Sequence, residues 1–124
     1  NDTIDILDAK ISNIGIEFVG IVFPGVNKYD VLNECNRILR LAYSKTFDIG
    51  EPIVITDIYQ ILKSVPDLMD VKSVKVVMKS GSEYADSSTS IEEALSPDGR
   101  YVIPPTDSIF EIKFLHKDIG GTIL

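Results

Sequence analysis

The sequence contains little of what reactive and metal-binding sites are usually made from. It has one cysteine, one histidine and no tryptophan. A single cysteine cannot form a disulfide within the chain, and Cys35 with His116 cannot supply the four Cys or His ligands of a structural zinc site. A reducing compartment fits this composition best. We therefore expect neither a metal ion nor a cofactor.

Positive charge and long apolar runs are also scarce. The 12 basic residues are outnumbered by 19 acidic ones, which gives a net charge of -7. Without a basic cluster, the chain cannot collect the several phosphate contacts that drive nucleic-acid binding. The apolar run of residues 19–23 is far shorter than the roughly 18 residues that a membrane-spanning helix needs. We expect no nucleic-acid partner and no membrane.

The usual arrangements of catalytic residues are missing from the sequence. A Ser-His-Asp triad would have to use His116, which we place at the end of the last strand, and no Gly-x-Ser-x-Gly motif is present. Cys35 lies on an apolar helical stripe, where burial should raise its pKa and leave it unreactive. Three carboxylate pairs lack the spacing of a calcium loop: Asp5 with Asp8, Asp67 with Asp70, and Glu92 with Glu93. We predict that the chain is not an enzyme.

The apolar spacing of the first 79 residues predicts strands and helices in alternation. Residues 14–23 are typical of a central strand with both faces covered. Residues 31–43 have helical spacing, and a short β-branched run within residues 49–55 precedes a second helix. Thr56 and Asp57 supply the N-cap and a first-turn acid of that helix, and Pro66 ends it. Residues 71–79 alternate like a strand that is wetted on one side.

The C-terminal part is expected to hold a loop, two strands and a tail. Residues 80–100 are polar apart from a helical turn near residues 91–95, and a loop this long is usually functional or mobile. A turn at residues 96–99 begins a strand at residues 100–103, residues 109–115 form another strand, and Gly120 opens a tail. The sequence thus predicts a single α+β domain over residues 1–124, a two-layer sandwich. Its mixed or antiparallel sheet has about four strands, with two helices on one face.

Two segments resemble a known family. IGEPIVITDIY at residues 49–59 and LSPDGRY at residues 95–101 are similar to the C-terminal part of a baseplate wedge subunit of contractile-tail phages, within the baseplate J-like family. NKYDVL at residues 27–32, the Val65-Pro66 helix break, FEIK at residues 110–113 and DIG at residues 118–120 extend the likeness. It covers most of residues 14–121.

The resemblance implies a non-enzymatic structural subunit. Copies of such a subunit join wedges into a ring around the tail hub, so the implied location is the virion tail baseplate, after assembly in the host cytoplasm. The implied partners are the chain itself, as a homo-oligomer, and other baseplate wedge proteins. Family members are several times longer, so we expect this chain to be a fragment of a larger wedge protein.

The loop and the tail are the segments best able to reach a neighbouring molecule, because a single core needs them least. An alternative from another class is a small ligand-binding or regulatory α+β domain, with its pocket between the helices and the sheet. The residues expected at a protein interface are Ser96, Pro97, Asp98, Gly99, Arg100, Tyr101, Ile119, Gly120, Gly121, Ile123 and Leu124.

Overall fold

The computed structural model describes residues 10–84 and 91–124. Strands and helices alternate along most of the described chain, and only the fourth and fifth strands follow each other without a helix between them. The elements in chain order are β1 (Lys10–Val22), α1 (Lys28–Ala42), β2 (Ile53–Val54), α2 (Ile55–Lys63), β3 (Leu68–Met78), α3 (Ile91–Ala94), β4 (Tyr101–Val102), β5 (Ser108–Glu111), α4 (Leu115–Asp118) and β6 (Ile119–Ile123).

β1 is the central strand of the larger sheet. β3 pairs with it antiparallel along one side, while β5 and β6 pair with it in parallel, one after the other, along the opposite side. β2 and β4 form a separate two-stranded antiparallel sheet. The predicted α+β class and the mixed sheet of about four strands are confirmed.

Helix α1 forms where the sequence predicts it, and its start is capped by a side chain. Asn27 Oδ1 accepts hydrogen bonds from the backbone N–H groups of Tyr29 and Asp30, at 2.9 and 3.3 Å. These bonds satisfy donors that the first helical turn leaves without partners. The buried stripe recurs every four residues, as the helical period requires: Val31, Cys35, Leu39 and, just past the helix, Tyr43.

Helix α2 begins two residues earlier than expected, at Ile55 with Val54 in the N-cap position, and the predicted Thr56 N-cap is wrong. No side chain caps this helix. Its first residue, Ile55, instead donates its backbone N–H to the carbonyl of Arg100 at 2.8 Å. The small sheet therefore supplies the acceptor that a capping side chain would otherwise provide. The helix ends at Lys63, three residues before Pro66, as predicted.

The two faces of β1 differ, which corrects the prediction that both are covered. Ile14, Ile16 and Phe18 are buried, on the face that α1 and α2 cover. On the other face Glu17 is exposed and Val19 is half-buried. Among the described residues both helices therefore pack on one side of the sheet, as the sequence predicts.

Strand β3 starts at Leu68, three residues before the predicted start. Three of its buried residues, Leu68, Val71 and Val74, are spaced by three, which a regular strand would place on alternating faces. Two register shifts against β1, after Val19 and after Ile21, remove this conflict. Each shift adds a residue to β3, so all three side chains reach the core.

The predicted C-terminal tail is wrong, because Ile119–Ile123 form strand β6 of the larger sheet. The preceding strand β5 stops at Glu111 rather than continuing to residue 115. Residues 112–118 leave the sheet, make the short helix α4, and return the chain to β1 further along. The glycines permit this return, since Gly121 lies directly opposite Phe18 of β1.

Exchange of Gly121 for alanine should lower the free energy of unfolding by about 1–3 kcal/mol, the usual cost of overpacking a core. A Cβ atom there would lie 2.5 Å from the Phe18 ring. Gly120→Ala is the matched control, because a Cβ at Gly120 meets nothing within 4 Å. Urea denaturation followed by circular dichroism measures both variants. Equal stabilities would contradict the packing of Phe18 against Gly121.

Candidate functional site

The predicted turn at residues 96–99 is present and is held by its own side chains. The backbone N–H of Gly99 donates to the Ser96 carbonyl at 2.9 Å, and Gly99 has a φ of 74°, which favours glycine. Ser96 Oγ donates to Asp98 Oδ1 at 2.7 Å and accepts from the Tyr101 backbone N–H at 3.1 Å. The donated hydroxyl holds the pKa of the Asp98 carboxyl below its usual value.

This turn joins two short extended segments that expose apolar side chains. Ser96 N–H donates to the Tyr101 carbonyl, and Ile103 N–H to the Ala94 carbonyl, both at 2.8 Å. Val102 is fully buried between its neighbours, while Tyr101 is 39% and Ile103 48% exposed. Leu95 is also exposed. We call residues 95–101 and Ile103 the turn surface; a shallow depression of about 430 Å³ lies beside it.

The remaining predicted interface residues lie in a different sheet. Ile119 is buried, while Gly120, Gly121 and Ile123 are half-buried in β6. Leu124 is exposed, and its backbone N–H donates to the Gly20 carbonyl at 2.9 Å. The structure therefore divides the predicted interface between the two sheets. The prediction that these residues contact a partner stays a prediction.

A buried carboxylate, which the sequence did not single out, lies where the chain rejoins the sheet. The Asp118 side chain is fully buried and lies 4.0 Å from Lys79 Nζ. It accepts hydrogen bonds from the Tyr84 hydroxyl at 2.8 Å and from the Phe114 backbone N–H at 3.3 Å. Donation to Asp118 raises the pKa of Tyr84. The sequence carried no signal for its burial, because neither the helix Leu115–Asp118 nor β6 was predicted.

Arg40 of α1 binds the same part of the chain. We call residues 112–118, which connect β5 to β6, the crossing. Its guanidinium donates to the backbone carbonyls of Leu115, His116 and Ile119, each at 3.0 Å. The first two carbonyls belong to α4, outside the sheet, and the third to the first residue of β6, which is an edge strand among the described residues. Arg40 thus replaces the hydrogen bonds that the interrupted sheet cannot supply.

The beginning of the predicted 80–100 loop is tied to the same region. Lys117 Nζ lies 2.9 Å from Glu83 Oε2, which lowers the pKa of Glu83 and raises that of Lys117. Lys113 Nζ donates to the Glu83 carbonyl. The predicted helical turn near residues 91–95 is confirmed as α3. Residues 85–90 of this loop lie outside the described residues.

A mostly apolar groove lies between the C-terminal end of α1 and strand β5. Its volume is about 450 Å³. Tyr43 and Phe47 stack at 6.3 Å between ring centroids, and Lys45 at its rim pairs with Glu51 at 2.7 Å. The side chains that line the groove come from three parts of the chain: Ile11; residues 43–47; and Ile109, Phe110, Glu111, Ile112 and Leu115.

The other candidate residues are not gathered into a site. Cys35 is fully buried, and burial raises the pKa of its thiol to about 11. His116 is exposed in α4 rather than at the end of a strand. Asp5 and Asp8 lie outside the described residues. Within residues 10–84 and 91–124, no three His, Cys, Asp or Glu side chains are arranged to hold a metal ion.

None of the helices in the described part of the chain is long and apolar enough to cross a membrane. Comparison with known proteins found no matching family model and no matching curated protein. Any functional proposal therefore depends on the surfaces above and on the resemblance of residues 49–59 and 95–101.

Replacement of Asp118 by alanine should lower the free energy of unfolding by about 2 kcal/mol or more, because it leaves two donors and a nearby ammonium group without their acceptor. Asp67→Ala is the control: that residue is exposed, so a change within about 0.5 kcal/mol is expected. Chemical denaturation measures both. Equal effects of the two substitutions would show that Asp118 does not hold the crossing together.

Proposed function

We propose that this chain is a non-enzymatic assembly domain of a phage tail baseplate, which helps to join wedges into a ring around the tail hub. The observation that carries the proposal is the turn surface. Its exposed apolar side chains surround a turn that belongs to one of the two segments resembling the baseplate J-like family. The proposed location is the virion tail baseplate, after assembly in the host cytoplasm.

The turn surface has the properties of a protein-binding site. Aromatic and arginine side chains contribute most binding energy at protein interfaces, and Tyr101 and Arg100 are adjacent and exposed. Arg100 Nε lies 3.2 Å from Asp98 Oδ2, inside a turn that is already ordered. Binding to an ordered surface costs less conformational entropy than binding to a mobile loop.

Two kinds of partner are proposed for this domain. The turn surface, which includes Tyr101 of the small sheet, would contact other baseplate wedge proteins. The chain would also associate with itself, as expected of a ring-forming subunit. No nucleic acid, membrane or cofactor is part of the proposal.

Binding of the chain to baseplate wedge complexes, purified from a contractile-tail phage without this subunit, tests the proposal. Tyr101→Ala should weaken co-sedimentation about tenfold, the loss typical of one interface anchor. Tyr29→Ala is the matched control, because Tyr29 is 79% exposed on α1, outside the turn surface. Failure of the parent chain to bind any wedge complex would refute the baseplate role. If Tyr101→Ala and Tyr29→Ala weakened binding equally, the turn surface would not be the binding site.

The groove beside β5 supports a second candidate function, a small ligand-binding or regulatory domain. Its volume of about 450 Å³ lies within the range of small-molecule sites. The stacked side chains of Tyr43 and Phe47 line it, as does Lys45, which pairs with Glu51. These features suit a small aromatic molecule.

The dye 8-anilinonaphthalene-1-sulfonate has this chemistry and serves as the probe. We expect enhanced dye fluorescence and a raised melting temperature of the folded chain. Ile11→Arg, which places a charge at the groove, should abolish both effects. Ile103→Arg is the control, since Ile103 is similarly exposed but lies on the turn surface. If Ile103→Arg removed the dye signal and Ile11→Arg did not, the groove would not be the binding site.

A further inference from the structure

The middle of the larger sheet, on the face opposite α1 and α2, carries charged and small side chains beside Val19. It surrounds a depression of about 300 Å³. Glu17 and Lys75 are exposed at its centre, and Val19 and Ser73 beside them are half-buried. We call the outward-facing residues Glu17, Val19, Ser73, Lys75, Gly120 and Thr122 the open sheet face.

The register across this face pairs unlike residues. Glu17 of β1 lies opposite Lys75 of β3, and Val19 lies opposite Ser73. One pair thus joins opposite charges, and the other joins a large side chain to a small one. Neither Glu17 nor Lys75 takes part in an ion pair within 4.0 Å in residues 10–84 and 91–124. Both charges therefore remain available to another molecule.

This pattern is complementary to a second copy of itself. Consider a two-fold axis parallel to the strands and midway between β1 and β3, with two open sheet faces packed against each other. The rotation places Glu17 of each copy over Lys75 of the other, and Val19 of each copy over Ser73 of the other. Such a contact is isologous, the arrangement found in most homodimers.

We propose that the open sheet face is the surface through which two copies of this chain associate, with Glu17 of each copy paired to Lys75 of the other. Face-to-face packing of two sheets is an ordinary solution when their strand directions lie within about 30° of each other, and the proposed axis satisfies this condition. On the β6 side, Gly120 and Thr122 lie opposite Glu17 and Val19. The two-fold axis places β6 of each copy beyond the β3 edge of the other, so these small residues do not obstruct the contact between the two sheets.

Self-association through this face should be weak. The face comprises only a few residues from each of three strands, and small interfaces fall in the transient class. The net charge of -7 on each copy also opposes association. This inference rests on the self-association part of the proposed function and does not depend on the turn surface.

Two charge reversals, Glu17→Lys and Lys75→Glu, test the pairing through sedimentation equilibrium. In a dimer of either variant alone, both intermolecular pairs join like charges, so association should weaken at least about tenfold. In an equimolar mixture, a heterodimer of the two variants restores opposite charges at both pairs. The mixture should therefore associate as the parent chain does. Thermal melts establish that both variants fold, as expected for exposed positions.

The experiment separates this inference from the broader proposal. If the parent associates and both variants associate equally well, self-association stands and the open sheet face is the wrong surface. If the parent remains monomeric up to high concentration, both self-association and this surface are refuted, while docking on other wedge proteins is unaffected. If the variants are weakened but their mixture is not restored, the Glu17–Lys75 pairing between copies is refuted.

Discussion

The larger sheet depends on the backbone of one strand. β3, β5 and β6 all hydrogen-bond to β1, and none of the three pairs with another strand of that sheet within the described residues. Because buried peptide groups must be satisfied, the position of every other strand follows from the length and register of β1. The 13 residues of β1 accommodate two shorter strands end to end on one side. Where the chain leaves this sheet, backbone groups need hydrogen-bond partners from elsewhere in the fold.

These partners are polar side chains from several elements. Between β5 and β6 the chain leaves the sheet, and the carbonyls that lose strand partners there are bound by Arg40 of α1. Asp118 receives the Tyr84 hydroxyl and a backbone N–H at the same crossing. A buried carboxylate is tolerated only when it is surrounded by donors. These contacts connect α1, the segment after β3 and the end of the chain, which gives the crossing a defined geometry.

The sequence was informative wherever one local pattern decided the outcome. Helical spacing located α1, proline located the end of α2, and Ser-Pro-Asp-Gly located the turn at residues 96–99. It was misleading wherever a distant partner decided. The start of α2 is bound by the Arg100 carbonyl and not by a Thr56 cap. Bulges in β3 bring both Leu68 and Val71 to the core despite their spacing of three. The expected tail is a strand, because one side of β1 was free to pair with it. The candidate site divides in the same way: the turn was predicted from its residues, whereas the open sheet face depends on the register between β1 and β3.

Two strands that are distant from β1 in sequence, β5 and β6, share one side of it, and this affects how the chain folds. Asn13 and Glu111, which are joined across β1 and β5 by a 2.6 Å hydrogen bond, are 98 residues apart in sequence. Parallel pairing over such a separation requires a large loop to close, and the chain loses conformational entropy before stabilising contacts form. Topologies of this kind therefore fold slowly. β1 can pair with β3 much sooner, since the two strands are closer along the chain and antiparallel. During that interval one side of β1 is an unpaired edge, and the arrival of β5 and β6 removes the opportunity for another chain to pair there.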